Sequence, residues 1–222
     1  MDHKRLTLFA GHYGSGKTNI AVNYALRLAK EGKRVCIADL DIVNPYFRTK
    51  DSEAELREAG VELISPRYAN TNVDLPALPA ESYRLVQDRS VYGIMDIGGD
   101  DRGAYALGRF AGAIKAENDY RMAFVVNCHR PLTSTAEDAA EIMKEIEEAC
   151  GLKFTCIVNN SNIGEETTPE TLYSSIDFVT RLCRITGLEL WMHTVKREIA
   201  DKLEGLSVMP MTLQKKYFDL PE

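Results

Sequence analysis

The sequence predicts an α/β protein of three layers, a mostly parallel central sheet between two layers of helices, built as one domain over residues 1–222. Three observations carry this expectation. Short apolar runs alternate with amphipathic stretches along the chain; a glycine separates amphipathic stretch from apolar run four times; and helix-start signals precede several of the amphipathic stretches. Continuous apolar runs are what strands buried on both faces require, and repeated β-α units return each strand parallel to the last.

The first run, Leu6-Thr7-Leu8-Phe9-Ala10, ends in Gly11 and reads as a buried parallel strand. Next comes Gly11-His12-Tyr13-Gly14-Ser15-Gly16-Lys17-Thr18, which fits G-x-x-x-x-G-K-[ST] between a strand and a helix. That context makes it a phosphate cradle, or P-loop. Its glycines let consecutive N–H groups point inward, and the following helix aims its positive end at the same anion. Lys17 supplies a cation for the outer phosphates, Thr18 a hydroxyl for magnesium, and Asn19 follows in the first turn of the helix. Ile20, Tyr24 and Leu28 form one i, i+4 row and Ala21, Ala25 and Ala29 the next, so this helix packs on a sheet until Gly32 stops it.

Arg34–Asp39 reads as the second strand, apolar until its terminal carboxylate. The helix–Gly–strand unit recurs at Gly60 before 61–64, at Gly151 before 154–158 and at Gly187 before 188–192. Ser52-x-x-Glu55 and Ser134-x-x-Glu137 read as capping boxes, and Thr168-Pro169 as an N-cap followed by proline. The helix after Ser134 buries Ile142, Met143, Ile146 and Ala149, and the one after Thr168 buries Leu172, Ile176, Val179 and Cys183. Two more apolar strands are expected at 91–96 and 122–127. Residues 66–81, with three prolines, read as a long loop, either functional or a plain surface excursion. The tail from Met209 to Glu222 is too short and too weakly basic for a membrane anchor.

Composition narrows the function. At 45% hydrophobic, 27% charged and net charge -6, the chain has no general field that favours nucleic acid, and no run of Lys or Arg tracks a phosphate backbone. Five cysteines without a C-x-x-C pair read as reduced core residues. The N-terminus passes straight into an apolar strand without a signal-peptide core, and no eighteen apolar residues run together, so a cytoplasmic location is expected.

In a parallel sheet, polar residues at the C-terminal ends of different strands converge on one crevice. Asp39 and Asp41 end the second strand, and Asp96 ends the fourth, followed by Ile97-Gly98-Gly99-Asp100. Asp96 is therefore a metal-site candidate beside Thr18, and the paired glycines let the backbone approach a γ-phosphate and move when it leaves.

With these residues in place, the chain resembles the MinD/ParA/CobQ-type branch of P-loop nucleotidases. The glycine-rich loop 11–18, the stretch Ala38-Asp39-Leu40-Asp41-Ile42-Val43-Asn44-Pro45 and the Walker B-like Ile94-Met95-Asp96-Ile97-Gly98-Gly99 carry the likeness over roughly the first half of the chain. The resemblance implies a P-loop NTPase fold and magnesium-dependent ATP chemistry. Asp41 is then the residue that orients the attacking water, and Asp39 supports the magnesium ion. One departure matters: the family's loop usually carries a lysine after the first glycine, reaching across a dimer, and here that position is His12. An imidazole is a poorer stabiliser of phosphate charge than a permanent cation. His12, Arg102 or Arg109 is then the group to cross a dimer interface, unless the protein is a slow hydrolase without one.

Guanine-specific P-loop proteins use N-K-x-D after a late strand; here the stretch is Asn159-Asn160-Ser161-Asn162, which favours adenine. The resemblance makes Asn159 or Asn160 an adenine contact, and turn formation explains the same residues equally well. Cys128-His129, at the end of the 122–127 strand, reads as a loop thiol beside a histidine, because metal or cluster binding needs more ligands than one pair supplies. The leading expectation is an ATPase that uses magnesium and acts as a nucleotide-dependent switch on a protein partner, with a nucleotide-dependent homodimer as its test. The alternatives are a CobQ or biotin-pathway type of transferase or ligase acting on a small-molecule acceptor, and a nucleotide-binding scaffold with little hydrolysis.

Overall fold

Eight short strands form the sheet, and each finds its neighbours in parallel register. The computed structural model describes residues 3–41, 49–65, 80–99 and 101–213. The strands are β1 (Leu6–Ala10), β2 (Val35–Leu40), β3 (Glu62–Ile64), β4 (Tyr92–Ile97), β5 (Tyr120–Val126), β6 (Cys156–Asn159), β7 (Leu190–Lys196) and β8 (Val208–Met211). Their spatial order is β3-β2-β4-β1-β5-β6-β7-β8, with every described pair parallel. This is the three-layer α/β/α P-loop NTPase fold that the sequence predicts.

Alternation along the strands feeds two cores. Leu6, Leu8 and Ala10 face one side with Met95, Ile97, Met122, Phe124 and Val126; Phe9 faces the other with Ile37, Ile94, Ala123 and Val125. The second side is covered by α1 (Lys17–Lys30), which presents Ile20, Ala21, Tyr24, Ala25 and Leu28, and by Leu56 of α2 (Glu53–Glu58). A four-residue helix, α3 (Arg84–Gln87), precedes β4. The first side is covered by α4 (Asp101–Gly108), α5 (Ala111–Glu117), α6 (Ala136–Cys150) and α8 (Ile176–Thr186).

Local chemistry explains where the elements differ from expectation. The cap of α6 is Thr135, whose hydroxyl accepts from the Asp138 amide; the Ser134 box lies one residue out of register. Ser52 stands at the N-cap of α2 without a side-chain capping bond. Thr168 does cap, reciprocally with Thr171, but it caps α7 (Pro169–Tyr173), and the chain turns at Ser174-Ser175 before α8 begins. The two apolar halves of that stretch therefore sit on separate helices: Leu172 packs with Val195, while Val179 and Leu182 join the main core. Gly151 and Gly187 end α6 and α8 in the left-handed conformation, as helix C-caps require. Helices α4 and α5, the short α9 (Arg197–Ala200) and strand β8 go beyond the predicted set. Residues 42–45 of the acidic stretch, most of the 66–81 loop, Asp100 and the tail from 214 lie outside the described residues.

All five cysteines are free, and among the described residues no helix is long and apolar enough to cross a membrane.

Candidate nucleotide-binding site

The site is built where β1 meets α1 at the C-terminal edge of the sheet. Gly16 is the N-cap of α1 with φ 88°, a left-handed angle, and a Cβ there would fall 2.2 Å from Asn160 Nδ2. Gly11 is equally confined, since a Cβ would meet the Val125 carbonyl oxygen at 2.2 Å. Both positions exclude any side chain.

Carbonyls of the loop are held from outside its cradle. His12 O accepts from Ser15 N at 3.2 Å and from Lys17 Nζ at 3.1 Å. Gly14 O accepts from Arg130 Nε at 3.0 Å, Ser15 O from Asn160 Nδ2 at 2.7 Å, and Gly16 O from Ile20 N at 3.2 Å. A peptide plane with its carbonyl fixed on one side presents its N–H to the other. Four of these planes are fixed before any anion arrives: the Gly14–Ser15 plane is closed within the loop, its N–H donating to His12 O, and the other three are oriented by their carbonyls, which is the preorganisation that makes a polyphosphate cradle effective.

Carboxylates line up beside the loop. β2 and β4 pair so that Asp39 is directly opposite Asp96, and both are buried. Asp39 Oδ1 accepts from the Asp41 amide at 3.0 Å, which fixes the turn that carries the half-buried Asp41. Asp96 Oδ2 accepts from Thr49 Oγ1 at 3.0 Å, whereas Oδ1 is buried with no hydrogen-bond partner among the described residues. Burial pushes the Asp96 carboxyl up to about 6; the Thr18 hydroxyl, the Lys17 ammonium and the Thr49 hydroxyl pull it back down, and Asp41 pushes it up.

A family model described as the CobQ/CobB/MinD/ParA nucleotide binding domain matches residues 6–167, well over half of the chain, and spans all of these groups. The chain belongs to this family. Solved structures agree on the fold. Cell division protein FtsY from Thermotoga maritima is similar at 18% identity and a TM-score of 0.60, over 86% of this chain and 61% of that one. The signal recognition particle 54 kDa protein from Aeropyrum pernix K1, in complex with GDP, gives 18% identity and a TM-score of 0.55, over 86% of this chain and 41% of that one. FtsY from Mycoplasma mycoides gives 15% and 0.58, over 86% and 59%. This chain thus spans between two fifths and three fifths of the length of these neighbours. No curated protein matches it.

As a member of the family, the chain brings Gly11, His12, Tyr13, Gly14, Ser15, Gly16, Lys17, Thr18 and Asn19 together at one strand-to-helix turn, with Asp39, Asp41 and Asp96 beside them. A family P-loop carries magnesium as well as nucleotide, and the unpartnered Asp96 Oδ1 next to the Thr18 hydroxyl fits a hard, oxygen-seeking cation. Lys17 is buried, Tyr13 is 57% exposed at the lip, and His12 is half-buried with Nδ1 at 3.1 Å from Tyr13 O.

Asn159 and Asn160 both hydrogen-bond within the protein. Asn159 Nδ2 donates to Ser175 Oγ at 2.8 Å and to His193 Nδ1 at 3.0 Å, while its Oδ1 accepts from Ser161. Burial lowers the His193 pKa and keeps that ring neutral, so Nδ1 is the acceptor. Asn160 is clamped between Ser15 O and the Thr194 hydroxyl, which donates to its Oδ1 at 2.6 Å. Both amides are buried; that of Asn159 has its two hydrogens and two lone pairs engaged, and that of Asn160 is tied once at each end.

Arg130, Thr49 and Thr194 are the site residues that sequence reading missed. Each acts through a contact far away in sequence, and none belongs to a motif. Among the described residues, no group of three His, Cys, Asp or Glu side chains is placed to hold an ion. Cys128 is half-buried, and its amide donates to Ser161 Oγ at 3.1 Å.

Proposed function

We propose that this protein binds ATP with magnesium at the 11–18 loop, hydrolyses it, and acts as a cytoplasmic nucleotide-dependent switch on a protein partner. The observation that carries this reading is Asp96: a buried carboxylate with one oxygen unpartnered among the described residues, beside Thr18 and next to a loop whose carbonyls are already tied back. The loop amides and Lys17 bind the phosphates, and Thr18 and Asp96 hold the magnesium ion, with Asp39 supporting them from the adjacent strand. When bound, that ion neutralises charge developing on the phosphoryl oxygens. Asp41, half-buried and fixed in direction by Asp39 Oδ1, accepts a hydrogen bond from the attacking water.

Adenine is favoured because no aspartate stands where guanine-specific loops place one, although the Aeropyrum neighbour was solved with GDP. Switching is supported by packing. A Cβ at Gly99 would meet Tyr13 N at 2.6 Å, and one at Gly103 would meet Gly98 backbone at 2.6 Å. The phosphate loop, the segment after β4 and α4 are therefore in backbone contact, and a shift of the loop passes directly to a helix that exposes Arg102 and Tyr105 and to the turn after it, where Arg109 is exposed.

Phosphate release from ATP and from GTP, measured with and without magnesium for wild type and Asp41→Asn, tests the reading. Magnesium-dependent ATP turnover that D41N loses while still binding nucleotide supports it. Turnover unchanged in D41N removes the hydrolytic role. Release that requires a small-molecule acceptor, with that acceptor modified, replaces the switch with a transferase.

A further inference from the structure

The loop lacks the family's usual lysine at position 12, yet a permanent cation sits on it from another strand. Arg130 follows β5, is exposed, and lays its side chain against Gly14: the position of a Gly14 Cβ lies 3.4 Å from Arg130 Nε, 3.6 Å from Cζ and 3.7 Å from Cδ. Its Nε donates to Gly14 O, and among the described residues its two terminal nitrogens, Nη1 and Nη2, take no partner. The base of this arm is fixed as well. Arg130 N donates to Asn127 O, Thr133 N to Arg130 O, and Thr133 Oγ1 to Asn127 O at 2.7 Å, while the buried Asn127 side chain bridges His129 N and Asn162 O.

We propose that Arg130 is a positioning residue for the polyphosphate, supplying in cis the second positive charge of the loop that the lysine-to-histidine departure removes. It rests on the reading of the loop as a nucleotide site and adds to it the residue that sets its preference for the most highly charged ligand. The physical basis has two parts. A guanidinium hydrogen bond to Gly14 O is charge-assisted, so it fixes the Gly14–Ser15 peptide, whose N–H closes the loop onto His12 O, more firmly than a neutral donor. The charge itself lies on the loop wall, where each added phosphate negative charge gains from it. An arginine suits this role because its fork has donors to spare after Nε is committed. His12, with its ring on the Tyr13 carbonyl, offers neither a permanent charge nor spare donors.

Calorimetric titration of ATP, ADP and inorganic tripolyphosphate, each with magnesium, into wild type, Arg130→Gln and Arg130→Lys tests the proposal. The expected result is a loss of about tenfold in ATP and tripolyphosphate affinity for R130Q, a smaller loss of about threefold for ADP, and recovery of most of the ATP affinity in R130K. A weaker dependence of ATP affinity on salt in R130Q is expected alongside. Arg130 is exposed and its one side-chain hydrogen bond among the described residues is to Gly14 O, so the melting temperature is expected to hold in both variants. Three results overturn the proposal: wild-type ATP affinity in R130Q, equal losses for ATP and ADP together with a lowered melting temperature, or no recovery in R130K. A wild type that binds none of the three ligands overturns the nucleotide site itself; a wild type that binds them with Arg130 silent overturns only this inference.

Discussion

Replacing Asn160 with alanine removes the strut between β7 and the phosphate loop. The Asn160 side chain spans from Thr194 Oγ1, at 2.6 Å from its Oδ1, to Ser15 O, at 2.7 Å from its Nδ2. Asn160, Ser15 and Thr194 are all buried, at 3%, 1% and 1% exposure, so water does not freely take its place. Two buried polar groups then lose a partner, each at about 1–3 kcal/mol, giving a destabilisation of about 2–6 kcal/mol. That is a large fraction of the stability of an ordinary domain. Asn160→Asp retains the Thr194 bond but aims a carboxylate oxygen at the Ser15 carbonyl and places negative charge behind an anion site. Phosphate affinity is therefore expected to fall further in N160D than in N160A. Urea denaturation followed by tryptophan fluorescence reads the stability, and ATP titration under native conditions reads the affinity. A stability loss in N160A below about 0.5 kcal/mol, or an N160D variant that binds ATP as well as wild type, refutes the argument that this amide holds the loop.

Asp96→Asn is expected to stabilise the metal-free protein and to abolish its magnesium response. Burial raises the Asp96 carboxyl from 3.8 to about 6, so the folded state holds a proton between those values that the unfolded state has lost. The stability this group contributes is full below about 4 and is lost as pH rises through about 6. Thermal melts from pH 4 to 8 should show that decline in wild type and a flatter profile in D96N, while magnesium binding to wild type strengthens over the same range. Gly99→Ala drives a methyl group to within 2.6 Å of Tyr13 N, so nucleotide affinity should fall by at least about tenfold on calorimetric titration. His12→Lys puts a permanent cation at position 12; if its partner is a second copy of the chain, light scattering with ATP and magnesium should show a larger dimer fraction than wild type gives.

Legibility followed sequence distance. The loop 11–18, the capping of α7 and the strands β1, β2, β4 and β5 were readable because each rests on neighbouring residues. The pairing of Asp39 with Asp96 was implied by the rule that strand ends converge. β8 was missed because Val208-Met209-Pro210-Met211 is short and contains a proline, which an edge strand tolerates and a central one does not. Helices α4 and α5 carry glycines and no capping signal, and their apolar faces are defined only once β4 and α6 are beside them. Ser134 and Thr135 offer rival caps one residue apart, and the backbone decides between them. Asn160, read as either an adenine contact or a turn former, also holds the loop, through contacts 145 and 34 residues away in sequence that no local pattern encodes.

Calorimetric titration of ATP into wild type and Lys17→Ala, with and without magnesium, tests the central claim most directly. Lys17 is buried at the turn, with its ammonium on His12 O, and it provides the charge-assisted contact to the outer phosphates. Saturable ATP binding that magnesium strengthens, and that K17A weakens by at least about tenfold, is the expected result. Equal ATP affinity in wild type and K17A, or a wild type that binds GTP and not ATP, would contradict the account.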